Sequence, residues 1–315
     1  MIRKAAIISI SGLTLTKKES IIIMKEKPWG VILFKRNIIS EYQLIDLVKS
    51  IRKLIKDKNY PILIDEEGGK VSRLSNFLDN SLYDQKYFGN IYKLDKYIGS
   101  TLYKLYLSSL MKVLKKVGIN INTSPVLDLL KRKKHQVIGN RSYSANPIIV
   151  NELGKLCVRL YHEYKIATVI KHIPGHGGAN ADSHFKLPKV HDSFKSLKKN
   201  DFKCFKNNSS FFAMTAHILY TKLDKKNNST HSNTIIKKII RNQIGFKGIL
   251  ISDDISMKAL KYDIVQNAHL ALNAGCNLVL YCAGKTQEVK KLLNKTPYID
   301  KFTIKKTSEF YKFLS

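Results

Sequence analysis

A (β/α)8 barrel, the TIM-type α/β architecture, is the fold this sequence predicts, and three observations carry that expectation. Eight short runs rich in Ile, Val and Leu recur along the 315 residues. Helical patterns with one apolar side lie between them. Ionisable residues gather just after the C-terminal ends of most runs, where a barrel keeps its chemistry, and few stand at the opposite ends. Runs that are apolar on both faces suit a parallel sheet covered on both sides. Strand–helix alternation either closes such a sheet into a barrel or winds it open, so a doubly wound sheet is the alternative. No Pro/Gly/Ser-rich linker divides the chain and no internal repeat shows, so residues 1–315 read as one domain.

The first run, residues 5–11, follows Arg3 and Lys4. Basic residues before an apolar run mimic a secretion signal, but this run is short and no small-x-small site comes after it, so a first strand is the better reading. Residues 30–34 form the second run, followed by Lys35, Arg36 and Asn37. Ser40 then caps a helix whose Leu44, Ile45, Val48, Ile51, Leu54 and Ile55 make one stripe. Residues 61–65 form the third strand, followed by Asp65, Glu66, Glu67, Gly68, Gly69, Lys70 and Arg73. A longer helix is expected over 94–116. The fourth strand spans 119–126, with Asp128 and Arg141 beyond it, and 131–136 is a charged loop. The fifth spans 166–170. The sixth, 211–216, ends at His217, and 222–232 is a loop. Ser232 caps a helix bearing Ile235, Ile236, Ile239 and Ile240, which stops near Gly245. The seventh strand, 248–252, ends at Asp253 and Asp254. The eighth covers 278–282, and helices are expected over 263–274, 286–294 and 303–314.

Composition bounds the partners. Hydrophobic residues make up 44% of the chain, enough for a large core. No run of apolar residues is long enough to span a bilayer. Cys157, Cys204, Cys276 and Cys282 show no CxxC spacing and read as free thiols of a reducing, cytoplasmic compartment. Lys and Arg total 55 against 24 acidic residues, a net charge of +31. Such a field attracts nucleic acid or anionic surfaces. The lysines are spread over the whole chain, however, and no nucleic-acid-binding signature accompanies them. A small-molecule partner is therefore expected, with no specific nucleic acid and no membrane.

The chemistry concentrates in residues 171–184, Lys-His-Ile-Pro-Gly-His-Gly-Gly-Ala-Asn-Ala-Asp-Ser-His, which leave the fifth strand as a loop. Asp182 stands two residues before His184. An Asp-x-His pair can place the carboxylate on one ring nitrogen and tune the other for proton transfer near neutral pH; a surface histidine beside a turn aspartate is the plain alternative. His172, His176 and His184 offer metal ligands, but no Cys ligand and no His-Glu-x-x-His spacing supports a metal site. Asp253 ends a buried strand, which suits a rigid nucleophile, while its neighbour Asp254 is free to cap the next helix. Lys171, His172, Arg73 and Arg141 offer donors to hydroxyls or a carboxylate, and Asp65 can accept from two neighbouring hydroxyls, as a sugar requires. Each has a plain alternative as a brace of the rim. Gly68-Gly69 is too short for a phosphate loop.

These residues, read together, resemble a family. Lys171-His-Ile-Pro-Gly-His-Gly with Asp182-Ser-His184, and Gly248-Ile-Leu-Ile-Ser-Asp-Asp-Ile-Ser-Met257, are similar to motifs of the bacterial single-domain β-N-acetylglucosaminidases of glycoside hydrolase family 3. Residues 30–37, 64–73, 124–128, 137–142 and Met214-Thr-Ala-His217 match in the same order, over roughly residues 8 to 285. The resemblance implies a (β/α)8 barrel and a retaining mechanism. It places the nucleophile on Asp253, the acid/base on His184 with Asp182 as partner, and sugar-binding groups on Asp65, Arg73, Arg141, Lys171 and His172. The implied substrate is N-acetylglucosamine linked β-1,4 to anhydro-N-acetylmuramic acid in muropeptides, during cytoplasmic cell-wall recycling by a monomer, with no cofactor and no metal. An N-acetylglucosaminide phosphorylase or a broader hexosaminidase is the alternative within sugars; a basic nucleic-acid or anionic-surface binder is the alternative outside them. The chain departs from the family at Glu66 and Lys70, where Gln and Arg are usual, and Lys70 is expected to alter a rim salt bridge.

Overall fold

The structure, a computed structural model, describes residues 2–131, 138–179 and 187–315. Ten strands occur among them: β1 (Lys4–Ile8), β2 (Pro28–Leu33), β3 (Ile62–Ile64), β4 (Ile121–Asn122), β5 (Ala167–Ile173), β6 (Lys189–Val190), β7 (Phe212–Thr215), β8 (Leu219–Tyr220), β9 (Ile249–Asp254) and β10 (Leu278–Tyr281). Eight of these close into a parallel barrel in the order β1-β10-β9-β7-β5-β4-β3-β2, while β6 and β8 pair apart from it. The barrel is thus the expected one, and the doubly wound alternative falls because β1 pairs β10 as well as β2.

Alternation along the strands sorts the core into two shells, because successive side chains of a strand point to opposite faces. Ile7, Trp29, Leu63, Ile121, Val169, Phe212, Ile249, Ile251 and Leu278 pack together inside the barrel. Their neighbours Ile8, Val31, Ile62, Ile64, Ile170, Leu250 and Val279 face the helices instead. The floor is closed by the C-terminal helix. Phe310 from that helix is fully buried against Trp29 and Phe212, and the Trp29 indole N–H donates to Thr307 Oγ1 at 2.9 Å.

The outer layer comprises α1 (Lys17–Glu26), α2 (Glu41–Ile55), α3 (Gln85–Leu94), α4 (Lys96–Lys116), α5 (Pro147–Glu163), α6 (Phe194–Lys199), α7 (Asp201–Phe205), α8 (Ile264–Ala274), α9 (Thr286–Lys295) and α10 (Lys301–Leu314), together with a π-helical segment, Ile235–Ile244. Ser40 caps α2 as expected, its hydroxyl accepting from Gln43 N. Ser232 Oγ likewise accepts from Ile235 N, and Gly245 stops that segment at φ 83°. The longer helix expected over 94–116 is α4, which starts two residues later, because Asp95 takes an extended conformation (φ −144°, ψ 116°) and caps α4 by accepting from Ile98 N; α3 precedes it and was not expected. The fifth strand also runs further than expected: β5 continues through Lys171 and His172 to Ile173, and the loop starts at Pro174.

Candidate active site

The same alternation that fills the barrel builds a pocket at its C-terminal rim. Two residues beyond the inward-facing Leu63, Ile121, Val169 and Ile251 stand Asp65, Thr123, Lys171 and Asp253. All four line one cavity of about 170 Å³, with Phe34 after β2, Met214 of β7, and Leu280 and Cys282 at the end of β10. Lys171 sits where the register of β5 against β7 shifts. Across this irregular turn of backbone the adjacent His172 also faces the cavity.

One wall is an ion cluster. Lys171 Nζ lies 2.5 Å from Asp65 Oδ1 and 2.6 Å from Glu67 Oε1. Asp65 also takes Arg73 at 2.5 Å and the Thr123 hydroxyl at 2.6 Å. Arg141 grips Glu67 with two parallel bonds of 2.7 and 2.8 Å, the fork geometry that a lysine cannot copy. Burial pushes the Asp65 carboxyl up, but Lys171 and Arg73 outweigh it and hold it well below the usual carboxylate range. Burial likewise raises Glu67, and Arg141 and Lys171 bring it below its ordinary value. Glu66 does the opposite job from the outer face. Its buried carboxylate accepts from Arg73 N, Leu74 N, Ser72 Oγ and Asn80 Nδ2, which ties down the loop that carries Arg73.

The facing wall holds the paired aspartates. β3 and β9 stand four places apart in a ring of eight, so Asp65 and Asp253 are on opposite sides of the mouth. The Asp254 carboxylate accepts from Ser256 N, Ser256 Oγ and Cys282 N, which makes it the turn-capping member of the pair. Asp253 Oδ1 accepts only from Asp254 N, at 2.8 Å, among the described residues. Burial raises the Asp253 carboxyl, and His217 and His172 together bring it below its ordinary value; it is the anionic one. Asp254 goes the other way, raised by burial that its Ser256 bonds do not offset.

His172 is oriented from behind. Its Nδ1 lies 2.6 Å from Asp128 Oδ2, and Asp128 also accepts from the main-chain N–H groups of His172 and His176. Burial raises Asp128, but His172 brings it below its ordinary value. An ionised carboxylate only accepts, so His172 Nδ1 carries a proton and Nε2 is the nitrogen turned away from Asp128. His176, also on the cavity, is lowered to about 4 by burial and by its neighbour His172.

Asp253, Asp65, Arg73, Arg141, Lys171 and His172 therefore come together in one cavity, as the sequence led one to expect. Asp182 and His184 lie outside the described residues. Arg141 does more for the rim than expected, since its guanidinium is committed to Glu67. The expected effect of Lys70 is not seen: the residue is exposed and makes no ion pair among the described residues. Sequence reasoning passed over Glu67, Thr123 and Asp128 as site residues. The first two were legible, because each stands an even number of residues from an inward-facing core position. Asp128 was not, because the chain beyond β4 follows no strand period.

Comparison with known proteins places this geometry. The profile of the Glycosyl hydrolase family 3 N terminal domain matches residues 5–305. The chain belongs to glycosyl hydrolase family 3. Its family 3 relatives include a β-hexosaminidase of Nitrosomonas eutropha, 32% identical over 282 residues that cover 87% of this chain and 79% of the relative. A second β-hexosaminidase, from Shewanella frigidimarina, is 34% identical over 87% of this chain and 80% of its own length. Among solved structures, NagZ from Neisseria gonorrhoeae in complex with N-trifluoroacetyl-D-glucosamine superposes with a TM-score of 0.89 at 28% identity, covering all of this chain and 91% of that one. This family 3 chain is accordingly a glycoside hydrolase of the β-hexosaminidase kind.

Proposed function

We propose that this protein is a retaining exo-β-N-acetylglucosaminidase that removes terminal N-acetylglucosamine from anhydromuropeptides, as a monomeric single-domain enzyme of cytoplasmic cell-wall recycling that needs no cofactor. The observation that carries the reading is a pocket of about 170 Å³ at the barrel mouth, the size of one pyranose, with an anionic Asp253 on one side and a cation-braced Asp65 on the other. A pocket rather than a groove suits removal of a terminal sugar. Asp65, Arg73, Lys171 and His172 present donors and acceptors for sugar hydroxyls, while Met214, Met257, Leu280 and Phe34 offer apolar surface to C–H faces and an acyl methyl group. The N-acylated glucosamine bound to the Neisseria structure supports the N-acetyl assignment.

In this reading Asp253 attacks the anomeric carbon and forms a glycosyl ester. His184, protonated and partnered by Asp182, gives its proton to the departing oxygen. Water then enters, the same imidazole takes its proton, and two inversions give retention. Most glycosidases use two carboxylates for these tasks; an imidazole held by a carboxylate serves near neutral pH. Hydrolysis of a p-nitrophenyl β-N-acetylglucosaminide tests the nucleophile. Asp253→Ala should retain its circular dichroism spectrum and lose turnover by roughly 10³-fold or more, the scale on which nucleophile deletions act; near-normal turnover would remove Asp253 from that role. Mass analysis of products from purified muropeptide, with and without phosphate, checks the substrate. Free N-acetylglucosamine in both arms supports hydrolysis, and its 1-phosphate in the phosphate arm would instead mean a phosphorylase.

A further inference from the structure

The end of β9 is irregular where it carries Asp253. β7 pairs with β9 through Met214 and Ile251 and stops there. On the other side the register to β10 shifts before Asp254, and Leu280 N–H donates to the Ser252 hydroxyl instead of to a carbonyl. The ladder bonds that would hold the Asp253–Asp254 backbone on the β7 side are therefore missing. Their place is taken by a buried side-chain relay. Asp253 N–H reaches Thr215 Oγ1 at 3.3 Å; Thr215 Oγ1 lies 2.8 Å from Thr230 Oγ1; Thr230 Oγ1 lies 2.8 Å from His217 Nδ1; and His217 Nε2 lies 3.0 Å from the Asp254 carbonyl oxygen. Thr215, His217 and Thr230 are all fully buried.

A carbonyl only accepts, so His217 Nε2 must carry a proton there. Thr215 Oγ1 accepts from Asp253 N–H, and the Thr230 hydroxyl stands between Thr215 Oγ1, His217 Nδ1 and the Ala216 carbonyl oxygen, which lies 3.3 Å away. The two ends of the relay grip the N–H of Asp253 and the carbonyl of Asp254, so they hold the two-residue backbone segment that carries the Asp253 side chain. None of the three side chains lines the cavity.

We infer that His217, acting through Thr230 and Thr215, is a positioning residue that clamps the backbone around Asp253 and so aims its carboxylate at the reacting carbon. The inference rests on the nucleophile reading above. Its consequence is selective: a loosened Asp253 would bind sugar as before and attack it more slowly, since a displacement of about 1 Å in a reacting group can cost about 10²-fold in rate.

The test compares wild type, His217→Leu, His217→Gln and Thr230→Val on an aryl β-N-acetylglucosaminide. His217→Leu removes both ring nitrogens. His217→Gln returns an N–H near the position of Nε2. Thr230→Val is isosteric and breaks the middle of the relay. Expected are a kcat about 10²-fold lower with KM within about twofold for His217→Leu, recovery of at least about tenfold of that loss in His217→Gln, and a kcat about tenfold lower for Thr230→Val. A His217→Leu kcat within about threefold of wild type overturns the clamp. So does a fall in kcat matched by the loss of folded protein, or a Gln variant no faster than the Leu variant. If His217→Leu does not fold, Thr230→Val decides, and an unchanged kcat there overturns the clamp. Asp253→Ala run beside them separates the two claims. If that variant keeps its activity, the nucleophile reading fails; if it is dead while the relay variants are unimpaired, the clamp alone fails.

Discussion

Lys171 carries more of this site than any other single residue. Its ammonium is buried between Asp65 and Glu67, and burial, which alone would lower its pKa, is outweighed by those two carboxylates. Removing one partner of a buried ion cluster leaves the others uncompensated, and that costs roughly 3–5 kcal/mol. Lys171→Met should lose stability on this scale in urea unfolding. Glu67→Gln should also destabilise, since it takes the carboxylate from the buried Arg141 fork, but the double variant should lose less than the sum of the single ones, because both changes break the same Lys171–Glu67 contact. If the double variant is as unstable as the sum of the single ones, the three groups are not coupled. At this scale the sequence was informative about which residues meet and poor about what each does. Spacing alone leaves Asp253 and Asp254 open between a nucleophile and a cap, and only the bonds from Ser256 and Cys282 to Asp254 tell them apart. Spacing leaves Arg141 open between a sugar ligand and a brace of the rim, and only the structure shows that Glu67 holds its fork while the residue also lines the cavity.

Elements were legible where a pattern was long or a cap was present. All eight barrel strands fall on the expected runs, because buried parallel strands leave unbroken apolar stretches. Helix α2 was visible through Ser40 and its stripe. Helices α1 and α5 have equally clear starts, a Thr16–Glu19 capping box and Asn146 before Pro147, and were passed over. The start of α4 was placed within two residues, while α3 before it was passed over despite its own cap, Asp84 accepting from Tyr87 N. Strands β6 and β8, two residues each, are too short for any period to show. Helix α10 makes a prediction of its own. Its Phe310 fills the barrel floor among Trp29, Phe211 and Phe212, so it behaves as a core residue despite its place near the C-terminus. Phe310→Ala should cost roughly 3–5 kcal/mol, as large-to-small changes in packed cores do, without changing KM. A cost under about 1 kcal/mol would mean that the helix end frays and the floor is not sealed by it.

The whole molecule carries a net charge of +31, and acid should be harder on it than base. Two histidines, one buried and one half-buried, set the upper edge of that weakness. His176 and His231 are each lowered to about 4, in both cases first by burial and then by a neighbouring histidine, His172 for the one and His217 for the other. Between pH 6.5, the ordinary histidine value, and about 4, the unfolded chain holds a proton on each that the folded chain does not. Stability therefore falls as pH falls through this window and is fully present above it. For His176, which is 3% exposed, the difference amounts to roughly 3 kcal/mol by pH 4. Asp65, Glu67, Asp128 and Asp253 add a second loss only lower down, since their pKa values lie below those of the unfolded chain and they must be protonated on unfolding near pH 4 and beneath. The growing positive charge adds a general repulsion across the same range, so the histidine contribution has to be read as a difference. Unfolding free energies of wild type and His176→Gln, measured at fixed ionic strength from about pH 7.5 to about 4.5, should draw together as pH falls, because glutamine has no proton to gain. Two parallel curves would show that His176 is not held neutral, and that the acid weakness of this barrel lies in its surface charge instead.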